Sequence, residues 1–290
     1  MVIRILFNEA ITKEIADLKL ELLGIAETDL RRLRRHIHRP HGMVLVTGPT
    51  GSGKTTTLYA AITEVHTGTE KIITIEDPIE YQLRGVVQIP VNEKKGLTFA
   101  RGLRSILRHD PDRILVGEIR DPETAQIAVQ SALTGHLVFT TVHANNVMDV
   151  LGRFLNMGLE PYHFLSSLNC IMTQRLVRVL CRACRRPVQY APESLEELGL
   201  DQETDAGQTF YEPGGCDECQ GSGFRGRNAV AELVEVTDTI RGLIMERRPA
   251  TEIYAAAQAS GTVLLRDAAL SKARAGTTSV TEINRVTFAE

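Results

Sequence analysis

"GMVLVTGPTGSGKTTTLYAAITEV", residues 42–65, decides the fold. Met43 to Thr47 are apolar and β-prone, residues 48–55 match G-x-x-x-x-G-K-[ST], and the stretch from about Lys54 to Val65 reads as a helix. Strand, glycine loop and helix in that order make a phosphate cradle. Gly48, Gly51 and Gly53 let backbone N–H groups close round phosphate oxygens with no Cβ in the way. The helix N-terminus adds its dipole. Lys54 is expected at the β- and γ-phosphates of a nucleoside triphosphate and the Thr55 hydroxyl at Mg²⁺, with Pro49, Thr50, Ser52 and Thr56 completing the candidate nucleotide-binding set. A chance glycine turn would lack the strand before it and the helix after it.

Three further strand ends carry chemistry. "KIITIEDPIEYQL" (71–83) is a short apolar run ending in Glu76, Asp77 and Pro78, with Glu80 close behind. Carboxylates at the C-terminal end of a parallel strand sit where open α/β sheets bind ligands, and one of them can orient water or act as general base. The competing reading is a solvated acidic turn. "DPDRILVGEIRD" (110–121) places Glu118 just past the strand Ile114–Val116, where a carboxylate can hold Mg²⁺ through water. "TGHLVFTTVHANN" (134–146) brackets a β-branched strand with His136 and His143. His143, at the C-terminal end, is placed to sense the γ-phosphate or its attacking water. His136 lies at the opposite end and is expected to face a neighbouring element or subunit. These strands and helices predict an α/β fold.

A chain of 290 residues is long enough for one large α/β domain and a smaller one. A net charge of −3 supplies no basic field toward nucleic acid or anionic lipid, and 5% aromatics without Trp offer no stacking platform, so no nucleic-acid partner is expected. That counts against a nucleic-acid motor or helicase with a zinc module; a small-molecule kinase would need a lid and an acceptor pocket, and neither is signalled. No run of about 18 apolar residues and no signal-peptide core occur, which predicts a cytoplasmic protein.

The four stretches, in this order and with "GLTFARGLRSILRHDPDRILVGEIRDPETAQIAVQSALTGHL" between them, resemble the secretion ATPase superfamily, closely over about 40–180 and more loosely beyond. The resemblance implies a RecA-like phosphate-loop ATPase core and a homo-hexamer when full length. It implies partners in an inner-membrane platform protein and a cytoplasmic adaptor, which would hold the motor at the membrane. It makes Glu76 the catalytic carboxylate, Glu118 an atypical Walker B glutamate, and His136 and His143 a catalytic His-box pair. Arg101, Arg104 and Arg108 recur at helical spacing. They are either a solvated basic face or a subunit boundary.

The cysteines refine this. Cys181 and Cys184, then Cys216 and Cys219, form two C-x2-C pairs 31 residues apart, a spacing that suits one tetrahedral structural Zn²⁺. Glycines after the second pair allow a knuckle with N–H groups aimed at sulfur. Within the superfamily such an insert resembles the type II secretion and pilus assembly branch. Cys170, in the apolar "FLSSLNCIMTQRLV", is expected in the core on a helix.

The expected organisation is thus a remnant of a preceding domain with a linker helix (1–40), the ATPase core (41–180), a tetracysteine zinc module (181–226), and a C-terminal strand with short helices (227–290). "VIRILF" (2–7) reads as a lone strand, the closing strand of a domain that this chain does not carry. On that expectation the chain binds ATP, hydrolyses it slowly and is mostly monomeric.

Overall fold

Strand, loop and helix follow one another as the glycine-rich stretch requires. The structure is a computed structural model that describes residues 18–287; residues 2–7, expected to form a lone strand, lie outside that range. The chain order is α1 (Glu27–Ile37), β1 (Gly42–Thr47), α2 (Lys54–Val65), β2 (Ile72–Glu76), β3 (Val87–Pro90), α3 (Phe99–Ile106), β4 (Arg113–Val116), α4 (Pro122–Leu133) and β5 (Leu137–Val142). It continues with α5 (Val147–Asn156), α6 (Pro161–Ser167), β6 (Leu168–Leu180), β7 (Arg186–Val188), α7 (Pro192–Leu195), α8 (Gln202–Asp205), β8 (Phe210–Glu212) and β9 (Phe224–Glu235). Four helices close the chain: α9 (Asp238–Met245), α10 (Ala250–Ala259), α11 (Leu265–Arg274) and α12 (Val280–Thr287).

Seven strands form one sheet in the order β3-β2-β4-β5-β1-β6-β9. All neighbours pair in parallel except β9, which runs antiparallel along β6 at the edge. Because β2, β4, β5 and β1 are adjacent and parallel, their C-terminal ends share one edge of the sheet. That topology brings four separate motifs together. The connecting helices bury apolar faces on both sides. One core contains Leu45, Ile75, Val116 and Phe154; the other contains Leu33, Val46, Ile62 and Phe139.

Cys170 is buried as expected, but on β6 and not on a helix. The strand lies between β1 and β9 and is covered on both faces, so its apolar run loses the two-residue alternation that marks a half-exposed strand. Arg101 and Arg104 are exposed on α3, while Arg108 lies beyond the end of that helix, exposed in the following turn. Arg104 pairs with Glu123 at 2.7 Å.

The segment after Cys181 shares a third core with the far ends of β6 and β9 and the last helices. Val177, Leu195, Phe210, Val230, Ala269 and Ile283 pack in it. Polar clamps reinforce the contact: Arg274 Nε donates to Asp205 at 2.7 Å, and Arg178 Nη2 and Arg285 Nη2 reach the Glu282 carboxylate at 2.6 Å each. Among the described residues no helix is long and apolar enough to cross a membrane.

Candidate functional site

The phosphate loop leaves β1 at Thr47, whose hydroxyl lies 2.9 Å from Val142 O and 2.8 Å from Ala144 O and accepts the Ala144 N–H at 3.1 Å. These bonds tie the start of the loop to the turn that carries His143. Glycine is required at two loop positions. A Cβ at Gly48 would stand 2.4 Å from Gln174 O, and at Gly53 (φ +85°) 2.9 Å from Gln174 Nε2. Lys54, buried at the first turn of α2, donates to Gly48 O at 2.8 Å and Pro49 O at 3.0 Å. Burial pulls its ammonium below the usual lysine range, while the nearby Glu118 carboxylate acts to raise it.

A cavity of about 640 Å³ opens beside this loop. It is lined by the loop from Thr50 to Thr56, by Glu76 at the end of β2 and Glu80 beyond it, by Gly117 and Glu118 after β4, and by His143 after β5. Four of the motifs therefore meet. His136 does not join them: it stands at the N-terminal end of β5, a strand length or ~20 Å away, with Nδ1 3.1 Å from Ser131 O.

Glu118 Oε1 is engaged by Arg120, while Oε2 is buried without a hydrogen bond, 3.3 Å from His143 Nε2. Burial and the Lys54 charge hold the His143 imidazole below its usual range, against the pull of Glu118. Ser52 Oγ is also buried without a hydrogen bond. An orphaned carboxylate oxygen and an orphaned hydroxyl flanking a buried lysine are the donor set that a magnesium-bound phosphate satisfies. The residues thus fit the nucleotide and its metal.

Glu76 is held differently. It is 3% exposed; Oε1 accepts Thr74 Oγ1 at 2.5 Å and Gln88 Nε2 at 3.1 Å, and Oε2 accepts the Tyr59 hydroxyl. Burial and the adjacent carboxylate push the Tyr59 phenol above its usual range, so it stays a donor. These three partners, and Gln174 behind the loop, were not picked out from sequence. Their one signal was polarity inside apolar stretches: Thr74 within "IITIE" and Gln174 within "IMTQRLV".

The cysteines form the second site. The Sγ atoms of Cys181, Cys184, Cys216 and Cys219 all lie within 4.8 Å of one another. Cys181–Cys216 is 3.8 Å, and Cys184–Cys219 and Cys216–Cys219 are 3.7 Å. Four thiolates at about 2.3 Å from a tetrahedral Zn²⁺ would be about 3.8 Å apart. Backbone N–H groups of Gly215, Cys216 and Gly223 donate to sulfur at 3.1–3.2 Å. Burial raises the Cys219 thiol, but the Cys216 and Gly223 N–H groups together with the Cys216 and Cys184 thiols outweigh it and bring it down to about 6. The residues fit a structural zinc.

A largely parallel sheet that gathers a glycine-rich loop, two acidic strand ends and a histidine strand end round one cavity defines an α/β fold with a candidate nucleotide site. Within that class the chain belongs to the Type II/IV secretion system protein family, whose model matches residues 1–285. It is 50% identical over 273 residues to type II secretion system protein E of Dickeya dadantii, covering 94% of this chain and 54% of that protein. It is 45% identical over 289 residues to the type IV pilus assembly ATPase PilB of Acinetobacter baylyi, covering 97% of this chain and 50% of that one. The chain thus spans about half the length of these curated relatives. Among solved structures, the pilus retraction motor PilT with bound ADP superposes with a TM-score of 0.69 at 28% identity, over 93% of this chain and 66% of PilT. The Legionella pneumophila ATPase DotB shares the fold at 23% identity, with a TM-score of 0.65 over 94% of this chain and 66% of DotB.

Proposed function

We propose that this chain is the motor part of a Mg²⁺-dependent ATPase that powers type II secretion or type IV pilus assembly. The observation that carries the proposal is the meeting of Lys54, Glu118 and His143 with the Glu76 wall in one cavity beside the phosphate loop. The loop from Gly48 to Thr56 and Lys54 hold the phosphates, and Thr55 and Glu118 hold Mg²⁺, which supplies charge neutralisation when bound. His143 stands against Glu118 and responds to charge at the γ-phosphate. Glu76 activates the attacking water: Oε2 accepts one hydrogen bond and keeps a lone pair, and its three donors hold the carboxylate in one orientation. Glu80, half-buried on the same wall, is the competing base. His136, at the far edge, contacts a neighbouring element or subunit in a homo-hexamer.

We further propose that residues 41–180 are the RecA-like ATPase core and that 181–226 form a module holding one structural Zn²⁺ through the four cysteines. On this reading 227–290 are the strand and helices that brace the module, and 18–40 are a linker. Subunit motion would be transmitted to an inner-membrane platform protein and a cytoplasmic adaptor, with the chain on the cytoplasmic side and no nucleic acid involved. The test is phosphate release from ATP with and without Mg²⁺, for the wild type and Lys54→Ala. Mg²⁺-dependent release that the substitution abolishes is the expected result. Equal turnover by the two proteins rules the motor reading out.

A further inference from the structure

Gln174 is 1% exposed in the middle of a buried strand, where an unsatisfied amide would be costly. It is satisfied by the phosphate loop. Its Nε2 donates to Ser52 O at 2.7 Å, and its Oε1 accepts the Thr57 hydroxyl at 2.7 Å. The amide orientation follows from the partners, because a carbonyl oxygen can only accept. From the geometry we infer that Gln174 is the positioning residue of the phosphate loop, an inference that rests on the nucleotide reading above.

A peptide unit is planar and trans, so its C=O and the next N–H point in opposite directions. Anchoring Ser52 O on Gln174 therefore aims the Gly53 N–H away from β6, on the side where a phosphate oxygen must be met. The second bond fixes the first turn of α2, whose free N–H groups complete the cradle. Gly53 takes the left-handed backbone (φ +85°) that favours glycine, and a Cβ there would also press on the Gln174 amide. Gln174 touches neither nucleotide nor metal in this account. It acts through the loop's backbone.

The test measures the dissociation constant of Mg-ADP for the wild type, Gln174→Met, Gln174→Glu and Thr57→Val, with KM and kcat for ATP alongside. Gln174→Met keeps the volume and deletes both bonds. It should weaken Mg-ADP about tenfold and raise KM by a similar factor, with kcat within about twofold. Thr57→Val leaves the Ser52 bond and should cost less than about threefold. Gln174→Glu separates positioning from packing. Its ionised carboxylate cannot donate to Ser52 O, but the neutral acid can, and burial raises its pKa. The ratio of variant to wild-type dissociation constants should therefore fall toward one as pH is lowered from about 8 to about 6. Folded variants that bind Mg-ADP like the wild type, or a ratio flat across that range, overturn the assignment. A wild type that binds no Mg-ADP overturns the nucleotide reading and this inference with it.

Discussion

Replacing Glu76 by Gln changes one atom and reverses the sense of a hydrogen bond. The carboxylate receives Tyr59 Oη on Oε2, and Thr74 Oγ1 and Gln88 Nε2 on Oε1. An amide keeps one acceptor and turns the other into a donor. Wherever it is placed, an NH₂ group faces a hydroxyl or amide that had been donating. With Glu76 3% exposed, water cannot make good the loss. A hydrogen bond to a charged acceptor contributes about 1.5–3 kcal/mol, so Glu76→Gln should destabilise by about 2 kcal/mol after the Tyr59 hydroxyl turns to another partner. In a chain of this size that lowers the thermal midpoint by roughly 3 °C. Scanning calorimetry of wild type, Glu76→Gln and Glu80→Gln measures it, and the same proteins then go into an ATP turnover assay. Glu76→Gln should lose stability and hydrolysis together while still binding Mg-ATP; Glu80→Gln should lose neither. A midpoint within about 1 °C of wild type would refute the network argument, and hydrolysis lost only in Glu80→Gln would move the base to Glu80.

Other outcomes follow from the same geometry. Lys54→Ala removes the cation at the loop and should lower Mg-ATP affinity by at least about a hundredfold in calorimetric titration; binding within a few-fold of wild type contradicts the phosphate assignment. Glu118→Gln should raise the Mg²⁺ concentration needed for half-maximal phosphate release by about tenfold, and an unchanged Mg²⁺ dependence removes Glu118 from the metal site. Protein purified without chelator should carry about one Zn²⁺ per chain by elemental analysis. Stripping it should speed amide exchange in 181–226 and in α11 and α12, which share its core, and leave Mg-ADP affinity within about twofold. Glu282 is 1% exposed; burial raises its carboxyl, but Arg285 and Arg178 outweigh that and hold it at about 2 against an ordinary 4.5. A depressed carboxylate stabilises above its unfolded value, so on the order of 2 kcal/mol should be lost as pH falls from 4.5 toward 2. Glu282→Gln, measured by acid titration of the melting temperature, should show a shallower loss over that window, and parallel curves would contradict it.

What could be read from sequence was what short-range chemistry imposes. Gly48, Gly53 and Lys54 work within one loop, so their spacing alone marks a phosphate cradle. Two cysteines on one turn lie close together, so two such pairs mark a candidate four-thiol cluster before any fold is known. Apolar runs ending in Glu76, Glu118 and His143 marked strands whose ends carry the candidate site residues. What chain-local signals could not supply was everything set by strand order and by partners distant along the chain. Adjacency of β2, β4, β5 and β1 puts those ends in one cavity, and strand polarity sends His136 to the opposite edge. Gln174 reaches back more than a hundred residues to Ser52 and Thr57, and Gln88 closes on Glu76 from another strand. The packing of 181–226 onto α11 and α12 and the strand identity of Cys170 arise likewise from long-range burial. Local motifs are written in consecutive residues because backbone geometry enforces them there. How each site carboxylate is held depends on donors that only the folded sheet brings within reach.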